Sequence, residues 1–386
     1  MGKRLPERLF DQGYQKAMED RVYARAIEQS ARGRKIVGLY CAFTPKEIVA
    51  AAGAIPVSLC SGSEDSFPAG EKHLPANLCP LIKSSYGHAV ADTCPYFHMA
   101  DFLLADATCD GKKKMFELLP RIKPLHLLLL PQSAVPEVSL VSWKKELFRM
   151  AAFLEKMTQN TITQDALEQQ IDLYNRLRRT IEAVYALNTG RVPLAFGSEI
   201  AVITAMGGFE TDLAVRIQEM ESAMEMIAER ALSPSFPDQM KDRPRILLTG
   251  CPTTNKKVLH LIEATGGVVV AMETCGGLKS NSRQVSQGQD PIHSLAQKYL
   301  SIACACMSPN RKRLDLISDL ITAYRVDGVI DLTWNACHTY NVEAFQVREF
   351  VQEKCETPYL QILTDYSQND IGQLETRIEA FLEMLA

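Results

Sequence analysis

The chain contains no Cys-x-x-Cys pair, no Gly-x-x-x-x-Gly-Lys-Ser/Thr loop and no Gly-x-Gly-x-x-Gly turn. The first absence argues against a zinc ribbon and against a thioredoxin-like redox couple. The other two leave neither ATP nor a dinucleotide an evident binding loop. Long apolar runs are missing too: none approaches the ~18 residues that a membrane-spanning helix needs. Met1-Gly2-Lys3-Arg4-Leu5-Pro6 leads into charged residues rather than the apolar core of a signal peptide, so the protein is expected in the cytoplasm. The unbroken basic triplets are Lys112-Lys113-Lys114 and Arg311-Lys312-Arg313, far short of the basic face that nucleic acid requires.

What is present is an ordinary globular composition, with 46% apolar residues, 23% charged residues and a net charge of -4 over 386 residues. At ~150 residues per domain, that length suggests two or three domains. The chain also holds 11 cysteines. In a reducing compartment these are core thiols, redox thiols or metal ligands rather than disulfides. Their one close pair, Cys304-Ala305-Cys306, is too tight for a zinc knuckle.

Strand-like segments occur in the same order twice. The first set is Ile36 to Cys41, Ile55 to Cys60, Phe102 to Cys109 and Leu125 to Leu130; the second is Ile246 to Cys251, Val268 to Cys275, Val329 to Cys337 and Tyr359 to Leu363. Three of the four in each set end in cysteine. Open α/β sheets gather ligands at the carboxyl ends of their strands, so two such domains would converge their thiols on one crevice. Cys79 stands 30 residues before Cys109 and Cys306 stands 31 before Cys337, which extends the repeat to a loop cysteine.

Residues 1–34 read as a helical segment, 35–141 as the first α/β domain and 142–232 as a helical insert without cysteine. Residues 233–244 read as a Pro-rich linker and 245–386 as the second α/β domain. Thr44-Pro45-Lys46-Glu47 predicts a capped helix start with Glu47 completing a capping box. The apolar spacing of Leu147, Met150, Ala151 and Leu154, and of Leu167, Ile171, Tyr174, Leu177, Ile181 and Val184, predicts helices that brace the two sheets or build a dimer surface.

Taken singly, a buried cysteine is a small hydrophobe. Cys355, within Glu353-Lys354-Cys355-Glu356, is read that way, and Cys60, Cys94 and Cys251 lean towards it. Cys79, Cys109 and Cys337 have turn-forming neighbours, Pro80, Asp110-Gly111 and His338, suited to holding a thiolate still. Lys112, Lys113 and Lys114 read as a solvated run or a docking point for an acidic partner.

Gly38 to Ile48 with Ala51-Ala52-Gly53, Asn77 to Gly87 around Cys79-Pro80, and Thr108-Cys109-Asp110-Gly111-Lys112-Lys113 resemble the 2-hydroxyacyl-CoA dehydratase and benzoyl-CoA reductase superfamily over nearly the whole chain. The resemblance implies a [4Fe-4S] cluster on three cysteines that map to Cys79, Cys109 and Cys337. The further set Cys275, Cys304 and Cys306, followed by Met307-Ser308-Pro309-Asn310, is similar to the double-cubane proteins, in which six cysteines hold an [8Fe-9S] cluster; Cys41 is the reserve ligand for Cys304 or Cys306. It also implies a separate homodimeric [4Fe-4S] activator that hydrolyses ATP and delivers a low-potential electron. His338, beside Cys337, is the first candidate for proton delivery, with Tyr340 and Glu273 behind it and Asp365 and Tyr366 as further lining.

The resulting expectation is two Rossmann-like, flavodoxin-type parallel-sheet domains with a helical insert. They form a homodimer that reduces a small molecule at a double-cubane cluster between the domains. Its rivals are a 2-hydroxyacyl-CoA dehydratase component with one [4Fe-4S] cluster and a different partner subunit, and a non-catalytic iron-sulfur carrier or sensor. Zinc storage fits least well.

Overall fold

The computed structural model describes residues 8–133, 135–205, 212–288 and 290–385. Two four-stranded, all-parallel sheets form its centre. The first comprises β1 Ile36–Tyr40, β2 Ile55–Ser58, β3 Phe102–Asp106 and β4 Leu125–Leu128, in the order β2-β1-β3-β4. The second comprises β5 Arg245–Gly250, β6 Val268–Glu273, β7 Gly328–Trp334 and β8 Tyr359–Thr364, in the order β6-β5-β7-β8. Parallel strands covered on both faces should read as continuous apolar runs. Every residue of β1, β3, β5, β6 and β7 is buried. In each sheet the strand order reverses beside its first strand. The two switch-point crevices therefore open at the carboxyl ends of β1 and β3 and of β5 and β7, where such folds bind ligands.

The helix expected after β1 forms over Lys46–Ala51, but the capping box does not. Pro45 occupies the cap without a side-chain hydrogen bond, and Thr44 Oγ1 donates to Asp106 Oδ1 at 3.0 Å. Glu47 is turned away because, fully buried, it needs a cation. It pairs with Arg178 and accepts from Tyr299 Oη at 2.7 Å. Burial pushes the Glu47 carboxyl up, but the Arg178 and Lys298 charges prevail and hold it below the usual glutamate range.

Arg178 lies on the helix Gln164–Ala186 and Tyr299 on the helix Pro291–Leu300, so this one cluster ties three parts of the chain together. The tie reflects a crossing of the domains. Val285, Ile292, Leu295, Ala296 and Tyr299, which follow β6 in sequence, pack in the same core as Val37, Leu39, Phe102 and Leu104 of the first sheet. Trp143, Leu147, Met150 and Leu154, from the helix Pro136–Thr158, complete that core. This helix starts at Pro136, a residue suited to a first helical position, and it ends at Gln159, whose φ of 59° breaks the run before Thr163 caps the next helix. The helices Gly197–Ala205 and Leu213–Ala231 continue the insert. The stretch 233–244 contains a short helix, Phe236–Met240. At the amino end a helix covers Gln12–Ala31, while the part of the predicted segment before residue 8 lies outside the described residues.

The two domains meet at their strand ends. A Cβ on Gly62 would stand 2.4 Å from the Thr254 carbonyl oxygen, so only glycine permits this approach. Asn255 Nδ2 donates to the Gly62 carbonyl at 2.9 Å, and Tyr366 Oη contacts the Ser61 carbonyl at 3.3 Å and Thr254 Oγ1 at 3.1 Å.

Candidate metal centre

The thiols leave the two sheets at matching offsets. Cys41 and Cys251 are one residue beyond β1 and β5, Cys60 and Cys275 two beyond β2 and β6, and Cys109 and Cys337 three beyond β3 and β7. Three thiols of the crevice stand at helix starts. Cys79 precedes the helix Pro80–Ala91, Cys109 precedes Asp110–Met115 and Cys337 precedes His338–Glu353. Backbone N–H groups of Leu81 and Ile82 face Cys79, that of Lys112 faces Cys109 and that of Tyr340 faces Cys337. N–H groups and the positive end of a helix dipole favour a thiolate, an influence that burial opposes at Cys79 and Cys109.

The thiols of the two domains form one connected array. Cys337 stands beside both Cys251 and Cys79, and the three thiols share a proton such that Cys337 is held well below the ordinary thiol range while its neighbours are pushed up. Cys306 does the same for Cys304, lowering it to about 6 and being itself raised. Cys109 is pushed up by burial and feels both Cys337 and Cys304, so it lies near both groups. Burial pushes Cys275 to about 11, and it feels the charges of Cys304 and Cys60; Cys41, also raised by burial, feels those of Cys304 and Cys275. Cys41 is held at a φ of 99°, while in the second domain the left-handed residue comes one position earlier, at Gly250, with 107°.

The six thiols singled out from the sequence, Cys79, Cys109, Cys275, Cys304, Cys306 and Cys337, all fall within this array, and so do Cys41, Cys60 and Cys251. Cys251 gives only a weak signal alone, but it is the counterpart of Cys41 in the repeat. Two thiols stand apart. Cys94 caps a short helix, accepting from the Phe97 N–H at 3.5 Å, and Cys355 is a half-buried thiol against the apolar core.

Cations close one side of the array. Lys112 is only 8% exposed, unlike its exposed neighbours Lys113 and Lys114, which pair with Asp110 and Glu117. Its charge acts on Cys60, Cys41, Cys109 and Cys275. Lys279, 3% exposed, donates to Tyr340 Oη at 2.7 Å and pairs with Glu273 at 3.2 Å, and its charge acts on Cys275 and Cys304. Tyr340 Oη lies 3.9 Å from Cys304 Sγ.

Glu273 is fully buried between Lys279 and Arg313, the latter at 3.2 Å, and accepts from Thr249 Oγ1. That places it behind the thiols as an anchor of the cations. Arg313, from the second basic triplet, also pairs with Glu343. His338 is exposed at the first position of its helix, beside Cys337. Tyr366 is buried edge-on against Trp334 at 4.8 Å, while Asp365 is half-buried and accepts from the Ser367 N–H at 2.9 Å.

Among the described residues, no three His, Cys, Asp or Glu side chains close on one point as a single bound ion would require. The thiols drawn from both domains, with helix N-termini and buried ammonium groups around them, are the residues that could hold a thiolate-ligated cluster. No helix of the described residues is long and apolar enough to cross a membrane.

The fold and the thiol crevice define a two-domain α/β protein organised around strand-end cysteines. Residues 41–385 match the family described as 2-hydroxyglutaryl-CoA dehydratase, D-component, and the chain belongs to that family. It is 41% identical over 365 residues to the putative dehydratase subunit YjiM of Escherichia coli (strain K12), covering 94% of each chain. It is 22% identical to the (R)-phenyllactyl-CoA dehydratase beta subunit of Clostridium sporogenes over 92% of each chain. With a subunit of the benzoyl-CoA reductase of Thauera aromatica it shares 22% identity over 91% of this chain and 90% of the relative.

Proposed function

We propose that this chain is the cluster-bearing component of an iron-sulfur reductase. In this reading Cys79, Cys109, Cys275, Cys304, Cys306 and Cys337 hold an [8Fe-9S] double cubane, with Cys41 in reserve, in a homodimer served by an ATP-hydrolysing [4Fe-4S] activator. The observation that carries this reading is the single thiol array assembled from both domains at matching strand-end offsets. The cluster would supply low-potential electrons to a small substrate. The chain's own part is to hold thiolates at three helix starts and to bring protons to the crevice. His338 stands exposed beside Cys337, and Tyr340, hydrogen-bonded to Lys279, faces Cys304.

A second reading is a 2-hydroxyacyl-CoA dehydratase component with one [4Fe-4S] cluster and a different partner subunit; the relatives named as dehydratase beta subunits favour its dehydratase part. Native mass separates the two readings, a self-dimer favouring the first and an obligate heterodimer the second. The test of function is reduction of the anaerobically purified protein, followed by its visible spectrum, with activator, ATP and a low-potential reductant. Bleaching that requires ATP supports the reductase reading; a spectrum indifferent to activator and ATP contradicts it.

A further inference from the structure

The loop that carries Cys304 and Cys306 lies between β6 and β7 in sequence but docks on the first domain. Cys306 is buried in the core of the first sheet, and Cys304 and Met307 pack against that core. Just beyond them the Ser308 N–H donates to the Gln132 carbonyl at 2.9 Å, and Ser133 and Ser308 form a parallel bridge. The receiving stretch, which follows β4, is itself fixed, because buried Ser139 donates through Oγ to the Ser133 carbonyl at 2.8 Å.

Gln132 also holds the first domain's own ligand loop. Its Nε2 donates to the Ala107 carbonyl at 3.2 Å and to the Thr108 carbonyl, so it grips the two residues that lead into Cys109. Its side chain thus fixes the approach to Cys109 while its backbone fixes the exit from Cys306. The far flank of the Cys304 loop is tied to the second domain. There the Cys304 carbonyl accepts from the Met307 N–H and from Asn310 Nδ2, each at 3.0 Å. Asn310 Nδ2 also donates to Glu343 Oε1 at 2.7 Å, and Glu343 lies on the helix that starts after Cys337. The protein alone makes all these bonds. Thiolates drawn from distant loops need such support, because a ligand set works only when held within about 0.5 Å of its productive geometry.

We propose that Gln132 is a positioning residue that locks the loop of Cys304 and Cys306 to the loop of Cys109, so that thiols from both meet a cluster at a fixed spacing. This rests on the iron-sulfur reading above. Gln132 acts through the two loops it joins. Asn310 completes the link by joining the same loop to the helix after Cys337. The three ligand loops are therefore one hydrogen-bonded unit before any metal enters.

The test uses the full chain in two states. In the metal-free protein, hydrogen exchange followed by mass spectrometry reads residues 302–308, whose Cys304, Met307 and Ser308 amides donate within this network. The expected result is protection in the wild type and exchange about tenfold faster in Gln132→Met, which keeps the length of the side chain and removes its donor. In anaerobically purified protein, iron per chain should fall by about half or more in Gln132→Met, at a Tm near that of the wild type. The electron paramagnetic resonance of its dithionite-reduced cluster should change shape. Asn160→Ala is the control, since Asn160 Nδ2 ties the insert to the Ala52 carbonyl at 3.1 Å, ahead of β2 and at the opposite end of the sheet from the thiols. Its iron and spectrum should match the wild type. Exchange at the rate of an unstructured loop in the metal-free wild type overturns the proposal. So does a Gln132→Met protein with wild-type exchange, or with wild-type iron and spectrum, or with losses equal to those of Asn160→Ala. Loss of iron together with a collapse of Tm in Gln132→Met would make the residue a support of the fold alone and also overturns it. A wild type without iron overturns the iron-sulfur reading, while the exchange comparison still decides whether Gln132 sets the loop.

Discussion

Removing one partner of the Glu47–Arg178 pair should cost the protein more stability than removing both. Glu47 is 0% exposed and Arg178 is 4% exposed. Arg178 also donates to Asn175 Oδ1 at 3.0 Å and to Tyr299 Oη at 3.2 Å, so its guanidinium is committed on several sides. Arg178→Met leaves a buried carboxylate with only the Tyr299 hydroxyl and the Lys298 charge, a situation that costs roughly 3–5 kcal/mol. Unfolding entropy of about 2.1 cal/mol/K per residue gives about 0.8 kcal/mol/K for a chain of this length, so that loss lowers Tm by about 4–6 °C. Glu47→Leu combined with Arg178→Met removes both charges and should recover most of the loss. Differential scanning calorimetry on the wild type, both single variants and the double variant reads this cycle. The reasoning is refuted if Arg178→Met lowers Tm by less than about 1 °C, or if the double variant is no more stable than the worse single variant. The pair also predicts an acid limit. A carboxyl held below its unfolded value stabilises the fold above that value, and the contribution is lost as pH falls through the folded value. Glu47 should therefore weaken the protein only below the ordinary glutamate range.

Three further outcomes follow from the packing. Gly62→Ala puts a methyl against the Thr254 carbonyl and should destabilise the domain contact by about 1–3 kcal/mol; urea unfolding measures it, and a midpoint equal to the wild type would show that the two loops move apart freely. Glu263, buried against Ser198 and Arg8, is raised to about 7, with burial the main cause. Its native form keeps a proton that the unfolded chain has lost, so stability should fall as pH rises from about 4.5 to 7, by on the order of 3 kcal/mol. Glu263→Gln should remove that slope, and denaturation midpoints with the same pH dependence in both proteins would contradict it. Cys355→Ser, outside the array, should leave iron content unchanged, whereas a loss of iron would draw Cys355 into the ligand set.

The eight strands are legible in the sequence because parallel strands buried on both faces leave uninterrupted apolar runs, as in Ile246-Leu247-Leu248 and Val268-Val269-Val270. The cysteine positions at the strand ends are legible for the same reason. The burial of Lys112 is not, since three consecutive lysines look alike in sequence and only the helix after Cys109 turns the first of them inward. Nor can local spacing show that Val285 to Tyr299 crosses to the first sheet, because their apolar pattern specifies a buried face without naming its partner. Glu47 misleads in an informative way: Thr-Pro-Lys-Glu has the spacing of a capping box, but a distant arginine and tyrosine compete for the carboxylate and win once it is buried. Cys251 is undervalued in sequence because its thiol neighbours, Cys79 and Cys337, stand far away in the chain.

The central claim is tested most directly by iron and acid-labile sulfide per chain in anaerobically purified protein, with Cys275→Ala measured beside the wild type. The account predicts about eight irons and nine sulfides, falling sharply in the variant. About four of each, unchanged by the substitution, would contradict the double cubane and favour a single-cluster dehydratase component.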